Sequence, residues 1–352
     1  MTALKSEYPP VDPGTGSPSR HTRRIVIGAP MLALSLIAAM VLAVTIGPAD
    51  ISLSDVWTSV GSHIWGGVGL ASQTQDAIIW QLRVPRILTA VAVGAGLALC
   101  GTIMQATTRN PLADPYLLGL SSGASLGAVL VIVVGLSIAV PLAAFSGALI
   151  ALAVTLVIAG ARSPSRTVLS GVAVSAAFSA FTSLIIFWSA NGDTYREILG
   201  WLLGSLAGST WTSALISGVA LLALGIPLGL SINTLDGFAF GDRTARSIGI
   251  KVHAARWILL SNSALLTGAL VSVSGSIGFV GLLVPHAARL LTGPRHRPLL
   301  PIAALLGALL LIVADTAART LFDPRELPVG IITAIIGAPV FALLLFRIRR
   351  LT

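Results

Sequence analysis

The sequence predicts an all-α fold, a polytopic transmembrane bundle of about ten helices. Three observations predict it. First, 55% of the 352 residues are hydrophobic and 10% are charged, with a mean hydropathy of +0.92. Soluble domains carry about 25% charged residues, so this chain lacks the polar skin of a soluble fold and the polarity of a disordered one. Second, the apolar runs reach about 20 residues, the length of a membrane-crossing helix, and do not alternate as barrel strands do. Third, the net charge of +9 comes from 22 Lys and Arg that cluster at the ends of the apolar runs. That placement orients membrane helices and does not suggest nucleic acid.

Residues 1–24 are polar and carry Pro9, Pro10, Pro13, Gly14, Gly16 and Pro18. They read as a disordered cytoplasmic tail ending in Arg20, Arg23 and Arg24. The transmembrane domain is expected over 25–350. Its first run, Ile25 to Ile46, has 22 residues. A signal-peptide core has about 7–15, so the run reads as a retained first span. Further spans are expected at 84–107, 119–135, 141–161, 167–189, 212–231, 258–274, 282–292, 299–320 and 328–347. The third and eighth are short enough to cross only part-way. Cys100 lies inside the second span and reads as a small buried hydrophobe; as the sole cysteine it forms no intrachain disulfide.

With the N-terminus in the cytoplasm, 17 of the basic residues fall inside and 5 outside. The outer five are Arg83, Arg86, Arg196, Arg319 and Arg325. This satisfies the positive-inside rule and predicts a multi-pass protein of the cell (inner or plasma) membrane with both termini cytoplasmic. The chain also compares with itself at an offset of 174, with 8 identities over positions 94–119, among them Gly94 on Gly268, Gly101 on Gly275 and Pro111 on Pro285. Five spans separate the copies, so they run in opposite senses. Such an inverted repeat is a transporter signature, although shared membrane composition also produces matches. Gly94, Gly96, Gly101 and the run Ser121 to Ser125 suit close helix packing.

Several short motifs stand out. Pro111 and Pro115 stop the second span in a tight turn, with Asn110 and Asp114 as capping residues. Arg83 and Arg86 lie on the outer side against the charge rule. An anionic partner and snorkelling helix ends both account for them. Arg319 is a third outer arginine, one turn beyond Asp315, spaced for an i,i+4 pair. The longest inner loop, about 232–257, contains a short helix with Asp242 as N-cap and Gly249 as C′ residue. Arg243, Arg246, Lys251 and Arg256 make it basic, fit for lipid headgroups or a protein partner. Gly275 to Gly281 is glycine-rich between two spans, where irregular backbone needs protein around it. His286 reads as structural rather than as a ligand. Neither lysine follows a glycine, so there is no Walker A loop, and no zinc motif, nucleophile–base set or Cys/His cluster is present. No catalytic residue, metal or cofactor is expected.

Five stretches carry a family resemblance: RVPR at 83–86, GTIMQATTRNPLADPYLLGLSSGA at 101–124, GDRTARSIGI at 241–250, GSIGFVGLLVPHAARLLTGPRHRPLLP at 275–301 and ADTAARTLFDPRELPVGIITAIIGAPVFALLL at 314–345. Together they resemble the FecCD-like (BtuC-type) permease family of binding-protein-dependent ABC importers for iron-siderophores, haem or cobalamin. The resemblance covers about 25–350. It implies the ABC importer permease fold, a second permease subunit (an identical copy or a close paralogue) around a central translocation path, two cytoplasmic ABC ATPase subunits and an extracytoplasmic substrate-binding protein, with membrane lipid surrounding the permease. It further implies binding-protein docking at Arg83, Arg86 and Arg319. ATPase coupling is implied through two short helices matching Leu235 to Gly249, with Gly241, Asp242 and Arg246 between. A cytoplasmic gate is implied at Pro164 and Ser165, where some relatives have a hydroxyl residue in place of the proline.

The function expected on this basis is import of an iron chelate, an iron-siderophore first, with ATP hydrolysis in a partner subunit. A haem or cobalamin permease of the same family is the alternative. An ion-coupled secondary transporter is a further one, for which Asp315 is the only clear intramembrane acid. An intramembrane enzyme would need a buried catalytic set that the sequence does not show.

Overall fold

The structure is a computed structural model and describes residues 20–47, 49, 51–66, 72–136, 140–160, 164–189, 192–322 and 325–349. The described elements are all helical. They run α1 (Arg20–Thr45), α2 (Leu53–Trp65), α3 (Gln73–Ala77), α4 (Val84–Thr108), α5 (Leu120–Val134), α6 (Val140–Ala159), α7 (Pro164–Ser189), α8 (Gly192–Leu202), α9 (Trp211–Ala220), α10 (Ile226–Leu230), α11 (Ile232–Ala239), α12 (Asp242–Ser247), α13 (Val252–Ser274), α14 (Val280–Thr292), α15 (His296–Thr320) and α16 (Val329–Arg349). Among the described residues, seven helical runs are long and apolar enough to cross a membrane, and three shorter apolar helices accompany them. The chain is a multi-pass membrane protein.

Boundaries depart from the sequence reading in three places. Helix α1 starts at Arg20, so the basic cluster read as the end of the tail lies on its first turns; residues 1–19 are outside the described residues. The second span is helical from Gln73 to Thr108, well before the expected start at 84. Here Ile78–Arg83 widens into a π-turn just ahead of Pro85. The same device recurs at Leu221–Gly225, ahead of Pro227 between α9 and α10. A widened turn relieves the clash between a proline ring and the preceding carbonyl, so the helix passes through each proline. Third, α2 and α8 escaped the span count. Both are short and amphipathic, and α2 exposes Trp57 and Trp65, as interfacial aromatic residues are.

Helix α4 is the most enclosed span and packs on α9, α13, α14 and α15. Lipid tails are as apolar as leucine, so association depends on close packing rather than on a hydrophobic drive. Glycines permit it. Gly94 lies against the backbone of Gly307 and Gly101 against that of Gly281, where a Cβ would collide with a carbonyl. Gly123 and Gly147 bring α5 and α6 together in the same way.

The internal repeat is visible in the packing. Helix α4 lies on α15 as α13 lies on α6, and the trio α5, α6, α7 is matched by α14, α15, α16. The offset of 174 does not describe it beyond the first helices. Pro111 sits in the turn after α4, whereas Pro285 is inside α14. The equivalent entries are Gly119 before α5 and Phe279 before α14, both with left-handed backbone. Gly94 and Gly268 both lie within their helices, but Gly101 and Gly275, Pro111 and Pro285, and Gly119 and Gly293 occupy different structural places, and the connections after α4 and α13 differ in length.

Candidate functional site

The 25 residues of α4 span about 37 Å at 1.5 Å per residue, and a charged cluster lies at each end. At its N-terminal end the C-terminus of α1 is capped by two guanidinium groups. Arg83 Nη1 donates to the carbonyls of Val44 at 2.6 Å and Thr45 at 3.0 Å, and Nη2 to that of Ala49 at 3.1 Å. Arg319 Nη2 donates to the carbonyl of Ala43. These carbonyls have no intrahelical partner, which is why cations gather there. Arg86 Nε donates to both oxygens of Asp315 at 3.1 and 3.0 Å, and Nη2 to Oδ1 at 2.9 Å. Its Nη1 donates to Glu326 Oε2 at 2.8 Å.

Arg83, Arg86 and Arg319 are 6%, 9% and 4% exposed and Asp315 is 2% exposed. These three arginines are therefore not a free surface patch. Their partners come from other parts of the chain, on α1, on α15 and in the connection to α16. The expected i,i+4 pair of Asp315 with Arg319 is secondary, at 3.9 Å, because Arg86 takes both carboxylate oxygens. Glu326, which sequence reasoning did not single out, is the half-exposed member of this network.

At the C-terminal end of α4, helix α11 packs on α4 and α15, and α12 packs on α11 and α13. Arg256 organises them: Nη2 donates to Asp242 Oδ1 at 2.9 Å, Nε to the Thr107 carbonyl at 3.2 Å, and the guanidinium sits 5.4 Å from the centre of the Phe238 ring. Arg109 reaches the same Asp242 oxygen at 3.5 Å. The Arg256 hydrogen bond holds the Asp242 carboxyl below the usual carboxylate range. Asp242 is thus not the N-cap of α12. Gly241, at φ +92°, takes that position, and Asp242 is the first helical residue. Gly249 does occupy C′: its N–H donates to the Arg246 carbonyl at 3.0 Å and that of Ile250 to Ala245 at 3.0 Å, the two bonds of a Schellman motif.

Leu235, read from the sequence as part of the partner-facing surface, is buried and anchors α11 to the core. The residues left outward are Arg246 and Gly249, with Phe240 at 76% and Ile248 at 63% exposure. His296 Nδ1 and Asp236 Oδ1 lie 2.7 Å apart and tie α11 to the start of α15.

Between the two ends the chain leaves helical form at 275–279, as the glycine-rich sequence predicts. The turn after α4 supports this break. Tyr116 Oη donates to the Ile277 carbonyl at 3.0 Å, and the Ser121 and Ser276 hydroxyls are 2.6 Å apart. Asn110 and Asp114 cap that turn, accepting from the N–H groups of Leu112 at 3.0 Å and Tyr116 at 2.8 Å. Phe279 holds φ +67° with its ring against Gly337 of α16. Irregular backbone of this kind persists in a bilayer only when protein encloses it. Among the described residues no group of His, Cys, Asp and Glu could hold a metal ion, and His286 stands outside any such set. Pro164 and Ser165 open α7; their side chains lie outside the described residues.

The FecCD transport family matches residues 35–347. The ABC transporter permease protein YvrB of Bacillus subtilis is 39% identical over 92% of this chain and 94% of its own length. The Fe(3+)-citrate import system permease protein YfmE of the same organism is 39% identical over 85% and 88%. Permeases named for cobalamin in Halobacterium salinarum, for hemin in Yersinia pestis and for molybdate in Haemophilus influenzae are 41%, 40% and 36% identical. A solved structure described as an inward-facing conformation of a metal-chelate type ABC transporter superposes with a TM-score of 0.81 at 34% identity, over 92% of this chain and 99% of that one. This chain belongs to the FecCD transport family, as a membrane-spanning permease subunit of an ABC importer.

Proposed function

We propose that this permease moves an iron chelate, an iron-siderophore first, into the cytoplasm. The observation that carries the reading is the two-ended architecture. One end offers α11 and α12 with Phe240, Arg246 and Ile248 outward; the other holds a buried arginine network, and a supported helix break lies between. The α11–α12 end is cytoplasmic and receives an ABC ATPase subunit, whose closure is transmitted through Arg256 to α4 and α13. Both termini are then cytoplasmic, in keeping with the charge distribution. The opposite end receives a substrate-binding protein. Its three arginines face two carboxylates, and the surplus positive charge favours an acidic partner. Docking at Arg83, Arg86 and Arg319 proceeds by exchange with Glu326, the most accessible internal acid of the network. A second permease subunit, an identical copy or a close paralogue, covers the exposed apolar side of α7 and α16, and Pro164 and Ser165 gate the path between the two copies.

A relative named for ferric citrate and a solved relative of the metal-chelate type support an iron chelate. The relatives named for hemin and cobalamin support the second reading, a haem or cobalamin permease. Ion-coupled transport is disfavoured because Asp315 is held by Arg86 and is not free to carry a proton. Uptake of labelled ferric hydroxamate, ferric catecholate, ferric citrate, haemin and cobalamin in a strain lacking this gene decides among them. A selective defect with a ferric siderophore is expected. A defect confined to haemin or cobalamin would establish the second reading, and normal uptake of every compound would refute both.

A further inference from the structure

The α11–α12 end also holds a cavity of about 310 Å3, lined among others by Gln105, Arg109, Leu235, His286, Arg289 and His296. Its charge balance is unusual. Arg289 is drawn inward and donates through Nη1 to Gln105 Oε1 at 2.5 Å. Gln105 has no choice of orientation, because its Nε2 faces the Leu282 carbonyl at 3.2 Å and the Gly281 carbonyl at 3.4 Å. The partner of Arg289 is therefore a neutral amide. Among the described residues no carboxylate forms an ion pair with it. Asp242 is taken by Arg256 and Arg109, and Asp236 by His296. A partly desolvated guanidinium without a counter-charge is costly, and Arg109, His286 and His296 line the same cavity.

We propose that this cavity binds a phosphate-class oxyanion, with Arg289 as the principal donor and Arg109 and His286 beside it. Planar forked donors suit tetrahedral oxyanions. The anion is either the phosphate of an anionic lipid headgroup or a free phosphate, since basic pockets at the cytoplasmic ends of membrane helices take headgroups. The site rests on the proposed cytoplasmic placement of this end only for the source of its anion. Binding is read on the permease alone, so it stands or fails independently of transport.

The test uses the full-length chain in nanodiscs of neutral or anionic lipid. Inorganic phosphate is titrated against chloride at matched ionic strength while the unfolding midpoint is followed, and native mass spectrometry reads retained lipid. A phosphate-dependent rise of the midpoint in both lipids supports a free-phosphate site. A rise in neutral lipid only, with anionic lipid retained through detergent exchange, supports a headgroup site. In either case Arg289→Gln should weaken binding about tenfold, as for loss of a charge-assisted donor, and Arg297→Gln, at an exposed position nearby, should not. Should Arg289→Gln fail to fold, Arg109→Gln at a half-exposed position carries the comparison. Equal responses from native and variant chains, or no response and no retained lipid, would overturn the proposal. So would protection of Arg289 from arginine-directed labelling only when an ATPase subunit is bound, which would place a protein carboxylate there instead.

Discussion

Replacing Asp315 by Asn should be among the most destabilising single changes in this chain. The carboxylate accepts three of the four hydrogen bonds between Arg86 and its acidic partners, at 2.9 to 3.1 Å, and lies 3.9 Å from Arg319. Its side chain is 3% exposed and that of Arg86 11%. Removing one partner of such a buried pair strands the other charge and costs about 3–5 kcal/mol. The fourth bond goes to Glu326, whose side chain is 39% exposed. Screening there reduces the pair to about 0–1 kcal/mol, so Glu326→Gln should be nearly silent for stability. Replacing both buried partners by apolar residues, Arg86→Met with Asp315→Leu, removes the stranded charge. The double change should cost less than the sum of its parts by about 2–3 kcal/mol, within the range of measured couplings. Unfolding of the purified chain in mixed detergent micelles, followed by tryptophan fluorescence, measures Asp315→Asn, Glu326→Gln, the double variant and its two component single changes. A loss below about 1 kcal/mol for Asp315→Asn, or strict additivity in the double variant, would refute the assignment of this network as a buried structural clasp.

Further expectations follow from the same geometry. Gly101→Val drives a side chain into the Gly281 carbonyl and should cost about 1–3 kcal/mol or more, read as lost monodispersity on size-exclusion chromatography. Arg246→Glu, on the exposed side of α12, should reduce co-purification with the ATPase subunit while leaving the unfolding midpoint unchanged. Asp242 has a folded pKa below its unfolded value because of Arg256, so its contribution is complete at neutral pH and is lost as the pH falls from about 4 through the lowered folded value. Hydrogen exchange over α11 and α12 should accelerate in that acid window, and Asp242→Asn should abolish the dependence.

Much of the bundle was legible in the sequence because a bilayer imposes a simple length rule. Apolar runs marked all ten segments, and glycines in the second span marked the tightest contacts. Asn110, Asp114 and Gly249 could be placed because local capping depends on neighbours in sequence. What escaped depends on distance. Arg83 and Arg86 looked exposed because nothing nearby could neutralise them; their partners lie 34 to 240 residues away. Asp242 looked like an N-cap until Arg256, 14 residues on, claimed its carboxylate. Leu235 and Arg289 needed the packing of α4, α11 and α14 to show which face was buried. The π-turns ahead of Pro85 and Pro227 were hidden because a proline within an apolar run signals either an end or a widened turn.

We propose that this chain is a conduit whose work is done by an ATPase seated on α11 and α12. Proteoliposomes holding the purified permease test it directly, with and without the ATPase subunits, with the cargo-loaded binding protein outside, ATP inside and ion gradients collapsed. Accumulation of the chelate is expected only when ATPase and ATP are both present, and its loss with Arg246→Glu. Accumulation by the permease alone, driven by an imposed proton or sodium gradient, would contradict it.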